Sequence, residues 1–193
     1  MMRCRKLQPL IVVTAPARVL NGRAVLEEMM LTKELSSLVS TLGEMPETFR
    51  QLMLQLPPEV LTWKPATREF SVLEHLCHLR DLEREGYAVR IRKLLTETDP
   101  VLSDFDGDKI AAERDYNRQD FAAVFLDFAR ARIENLATLE NLSPAQLQRR
   151  GTFEGQGEID LEKLISMMHK HDEAHRRELS KLRQQLAARK GEE

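Results

Sequence analysis

Between Leu161 and Leu186 the residues Leu161, Ile165, Met168, Asp172, His175, Leu179, Leu182 and Leu186 recur in alternating steps of three and four. That spacing keeps one stripe of a long helix turned towards its neighbours, as in the seam of a helical bundle. A helix expected to run from Asp160 or Leu161 to about Ala188 cannot bury such a stripe alone, so the chain must supply partner helices. Two positions of the stripe, Asp172 and His175, are polar, so the seam carries an interruption that the partners must meet.

Three other segments have helical periodicity. The first runs from Thr32 to Leu56, where Pro46 either kinks the helix or marks a break after Gly43, and Pro57 and Pro58 end it. The second opens at Ser71, which forms a capping box with Glu74, and continues to about Thr96. The third spans about Gln119 to Leu142, with Phe121, Phe125, Phe128, Leu136 and Leu139 at helical spacing around a lone Arg132. The connections ETDPVLSDFDGDK and GTFEGQGEID read as loops, and no segment between the helices reads as a strand. With only 8 Gly and 8 Pro in 193 residues, long regular elements are expected. The expected fold is all-α, a four-helix bundle with long inter-helix connections. Residues 31–189 form the bundle domain, residues 1–30 a poorly ordered leader and residues 190–193 a disordered tail. Met29 or Met30 would open a cleaner domain.

A net charge of −2 offers no electrostatic footprint for nucleic acid, and no apolar run approaches the length of a membrane span. Cys4 and Cys77 are too few for a disulfide framework, which points to a reduced, cytoplasmic setting.

All 5 histidines fall in two short segments, His75 and His78 in SVLEHLCHLRDLE and three more in MMHKHDEAHRREL. His171 and His175 stand four apart, so their imidazoles share a helix face about 6 Å apart along the axis and can grip one divalent ion. A third ligand from the second helix is either His75, which lies nearer the apolar face, or His78 on its flank; the wheel leaves both open. The competing reading makes His171 and His175 polar seam residues that fix helix register, with His169 and His75 solvated or satisfied by local hydrogen bonds.

The stretches SVLEHLCHLRDLE, AAERDYN and MMHKHDEAHRREL, in this order, resemble the DinB-like superfamily, particularly its YfiT-type thiol transferases, over about Leu35 to Leu182. The resemblance implies a four-helix bundle with a divalent metal on His78, His171 and His175. The pattern departs at His75, where an aliphatic residue is usual, and at Phe70, where Trp is common. Three neutral histidines suit Zn²⁺ or Ni²⁺ and leave positions free for a reactant. The implied activity is transfer of a low-molecular-weight thiol to an electrophilic small molecule. Asp172 is a candidate base, and Arg114 and Tyr116 are candidates for contacting the substrate. Two alternatives are a metal-dependent hydrolase and a non-enzymatic stress-response or interaction protein. A homodimer is a further expectation.

Asp81 and Glu74 are candidates to orient His78, Arg132 is expected to pair with Glu74 or Asp172, and Cys77 is expected in the core.

Overall fold

The computed structural model describes residues 22–190 apart from 68 and 141; the expected leader up to residue 21 and the tail beyond residue 190 lie outside the described residues. Helix α1 spans Gly22–Gly43, so residues 22–30 are helical, and α2 spans Met45–Gln55. The break falls after Gly43, with Pro46 in the first turn of α2, where its missing N–H costs nothing.

Helix α3, Val72–Asp81, starts at the Ser71–Glu74 capping box: Glu74 N–H donates to Ser71 Oγ at 3.1 Å and Ser71 N–H to the Glu74 carboxylate at 2.8 Å. The expected single helix to Thr96 has a π-helical turn at Leu82–Tyr87 before it resumes as α4, Ala88–Thr96. Short α5, Gly107–Glu113, precedes α6, Phe121–Leu139, which is capped by Asp120. After the turn α7, Pro144–Leu147, the chain ends in α8, Leu161–Lys190. The bundle is α1, the α3–α4 unit, α6 and α8.

The expectation of no strands is corrected. β1 (Val101–Leu102), β2 (Arg150–Phe153) and β3 (Gly157–Asp160) form a small sheet, β1 parallel and β3 antiparallel to β2. Gly155 and Gly157 adopt φ of +75° and +83°. They close the hairpin, a backbone region that side chains avoid. The glycines that suggested a loop therefore serve a turn, while Phe153 and Ile159 point inward and cover the base of the bundle.

Two apolar clusters share α8. Leu161, Leu164, Ile165 and Met168 pack with α1, α4 and the sheet, whereas Leu179, Leu182 and Leu186 pack with α2, α3 and α6. Asp172 and His175 sit between the clusters, where the stripe turns polar.

Candidate metal centre

α3 presents His78 and α8 presents His171 and His175 to one cavity. His171 Nε2 lies 3.3 Å from His78 Nε2 and 3.2 Å from His175 Nε2. The helical i, i+4 step brings the last two rings together, and the packing of α3 against α8 delivers the first. Nitrogens bound at about 2.0–2.1 Å to one tetrahedral ion would stand about 3.3 Å apart, so the two spacings from His171 Nε2 fit a divalent metal shared with His78 and His175. The three residues offer ligand atoms within 4.8 Å of one another.

Burial keeps these rings neutral. Desolvation, then the neighbouring His171, lowers His78 to about 4. Desolvation followed by the charges of Arg132 and Arg90 lowers His171 to about 4. His175 is pushed down further, by burial first and then by the other histidines. Neutral imidazoles keep the lone pair that a metal needs.

The cavity, of about 680 Å³, is lined by Phe70, Phe105, Gly107, Asp108, His75 and Glu178 as well as by the three histidines. Gly107 presses on His78: a Cβ there would stand 2.5 Å and 2.6 Å from ring atoms Cε1 and Nδ1. Phe105 packs against the same ring at a centroid distance of 5.9 Å. The segment read from sequence as a plain loop thus forms one wall of the site. Nothing in its pattern marked this, because the approach depends on how the loop folds back over α3.

His75, the other reading of the third ligand, also reaches the cavity. Its Nδ1 lies 2.8 Å from His175 Nδ1, on the far side of that ring from the Nε2 triangle. Glu178 was overlooked, although its spacing of three from His175 on a helix was the available signal.

The structure does not bring Asp172, Arg114 or Tyr116 to the histidines. Asp172 is held by Arg132 through contacts of 2.5 Å and 3.0 Å. Arg132 is fully buried and also donates to Leu42 O at 2.9 Å. Glu83 Oε1 stands 2.9 Å from the same guanidinium in an ion pair without hydrogen-bond geometry. Asn135 donates to the other oxygen of Glu83 at 2.6 Å. Glu74 is used by its cap and by Lys64 at 2.8 Å, so the Arg132 partners are Asp172 and Glu83.

Arg114 and Tyr116 each donate to Asp81 Oδ2 at 2.7 Å, and Arg80 donates to Oδ1 at 2.7 Å. They pin the segment after α5 onto α3, and Asp81 is occupied there instead of at His78. Cys77 is buried in the core, and burial pushes its thiol up to about 12.

With this site in view, the comparison with known families is direct: a family model described as the DinB superfamily matches residues 41–179. The chain belongs to the DinB superfamily. A solved structure, YfiT from Bacillus subtilis, superposes with a TM-score of 0.72 at 17% sequence identity, covering 90% of this chain and 94% of that one. That protein is described as a probable metal-dependent hydrolase with an unusual four-helix bundle topology. At this identity the likeness establishes the DinB-type bundle and no more. Among curated protein sequences none matches the chain. No described helix is long and apolar enough to cross a membrane.

Proposed function

We propose that this DinB-superfamily protein holds one divalent ion, Zn²⁺ or Ni²⁺, on His78, His171 and His175, and uses it to add a low-molecular-weight thiol to an electrophilic small molecule. The observation that carries the reading is the triangle of facing Nε2 atoms at the floor of a cavity of about 680 Å³. That volume lies in the range of small-molecule sites. A divalent ion supplies Lewis acidity and draws down the pKa of a thiol or water that reaches it.

The chain's own residues do the rest. Phe70 and Phe105 wall the cavity beside the histidines and keep water from their edges. Glu178 stands at the rim, and burial raises its carboxyl above the ordinary range, which suits exchange of a proton nearer neutrality. Asp172 is tied to Arg132 and lies outside the cavity lining, so it takes no proton from the reactant. A thiol, with a pKa of about 8.5, starts closer to ionisation than water at about 15.7, and a bound ion would lower both.

The second reading, hydrolysis, is supported by the description of YfiT as a probable metal-dependent hydrolase. Two measurements test these readings. Metal content of the protein purified without a polyhistidine tag should be one equivalent, falling sharply in His78→Ala, His171→Ala and His175→Ala. Full retention in all three variants overturns the site. With metal loaded, loss of thiol against a panel of electrophiles supports transfer, and turnover of esters or amides without thiol supports hydrolysis.

A further inference from the structure

His175 is engaged through both ring nitrogens. Nε2 faces His171, while Nδ1 meets His75 Nδ1 at 2.8 Å. A contact this short between two imidazole nitrogens holds a single proton, with one ring donating and the other accepting. For His175 to offer the lone pair of Nε2 to an ion, its proton must sit on Nδ1, and His75 must then be the acceptor. Glu178 biases the contact the same way, since its Oε2 is 3.4 Å from His175 Nδ1 and 3.8 Å from His75 Nδ1. Negative charge nearer His175 favours a proton on that nitrogen.

We propose that His75 is a positioning residue: its Nδ1 accepts the Nδ1–H of His175, fixing the tautomer and ring plane that aim His175 Nε2 into the ligand triangle. The direction of this hydrogen bond rests on the ligand reading above. His75 is suited to the task because it is 4% exposed and its own ring is held edge-on by Phe70 at a centroid distance of 5.5 Å. The other two ligands lack such support, since Nδ1 of His78 and Nδ1 of His171 have no hydrogen-bond partner among the described residues. Partners of this kind, usually carboxylates or carbonyls, orient metal-binding histidines. Here another imidazole takes the part.

The atoms His75 Nδ1, His175 Nδ1 and Glu178 Oε2 also lie close enough to one another to hold an ion of their own. The 2.8 Å separation speaks for the hydrogen bond, because nitrogens on one tetrahedral ion stand about 3.3 Å apart. Stoichiometry decides between the two.

The test compares the full chain with His75→Leu, which removes the acceptor at similar bulk, and His75→Asn, whose amide oxygen is attached to the same Cγ as Nδ1. Zinc affinity is measured by competition with a chelator, and the tautomer of His175 by long-range ¹H–¹⁵N spectra of the metal-free protein. The wild type should bind one equivalent, His75→Leu should bind about 10–100-fold more weakly, and His75→Asn should recover most of the loss. In the metal-free wild type, His175 should carry its proton on Nδ1, and His75→Leu should lose that preference. Undiminished affinity in His75→Leu overturns the proposal, as does an Asn variant no better than Leu. A second zinc equivalent that disappears with His75 would make it a ligand and equally overturn the positioning role. If the wild type binds neither zinc nor nickel, the proposed metal site falls, and the metal-free spectra still decide whether His75 sets the tautomer.

Discussion

Two buried polar centres lie one turn apart on α8, at Asp172 and at His175, and they are built on opposite principles. Around Asp172, donors face acceptors: the Arg132 guanidinium meets two carboxylates and a carbonyl, and Asn135 satisfies Glu83. Around His175, like faces like, with three Nε2 atoms turned on one another. Both centres interrupt the same apolar stripe. A polar break in a seam therefore does not mark a site by itself; what marks it is a set of like, neutral groups brought to one point with no counter-charge among them. The Asp172 centre pairs its charges within the chain, although Glu83 Oε1 and Arg132 Nε make no hydrogen bond there, whereas the histidine centre is a set of neutral rings whose Nε2 atoms meet where a cation would sit.

The largest expected effect comes from opening the charge-paired centre. Arg132→Met leaves Glu83 and Asp172 buried without their counter-charge, and should cost about 3–5 kcal/mol in urea denaturation of the metal-free protein. Burial alone would lower Arg132, but Glu83 and Asp172 hold its pKa above the ordinary value, and burial pushes Glu83 up. The pieces are interdependent. A loss below about 1 kcal/mol would mean that the two centres are not energetically different in kind.

Gly107→Ala tests the histidine centre from its wall. The added methyl would overlap the His78 ring unless the loop or ring moves, with an expected cost of about 1–3 kcal/mol. Displacement of His78 should also weaken metal binding, read by chelator competition. Unchanged affinity would show that the loop yields and the ring stays.

Tyr116→Phe removes one of the donors on Asp81 and should cost about 1 kcal/mol with metal binding intact. That outcome would place Tyr116 with the internally satisfied groups, and lost metal affinity would instead tie it to the site.

The same distinction explains what was legible in the sequence. The α8 stripe, the Ser71 cap and the pair at His171 and His175 were readable because each is local, set by helical spacing alone. The partners of Arg132 were only half readable. Glu83 follows Val72, Leu76 and Leu79 at helical spacing and so lies on their buried face, but its charge hid it among the other charged residues of LEREGY. The wheel could not choose between His75 and His78, since both reach the cavity and only tertiary packing decides which nitrogen faces which. The hairpin was hidden by its own glycines, and the wall at Gly107 is a contact between segments far apart in the chain.

The smallest expected change in stability, and the sharpest contrast with Arg132→Met, is His171→Leu. It removes Nδ1, which has no partner among the described residues, and with it the Nε2 contacts at 3.3 Å and 3.2 Å, so the metal-free protein should keep its stability at neutral pH within about 1 kcal/mol while losing metal binding. Acid separates the two proteins further. An unfolded chain protonates histidine near pH 6.5, whereas folded metal-free His78 and His171 are lowered to about 4. Between those values the unfolded state binds more protons. The histidines' contribution is therefore fully present above about pH 6.5 and is lost as the pH falls towards about 4. His171→Leu removes one of these groups, so its urea midpoint should fall less between pH 7 and pH 5 than that of the wild type. An equal fall in both proteins, or a large loss at neutral pH, would mean that the contacts of His171 with His78 and His175 stabilise the fold and that the two centres differ only in charge.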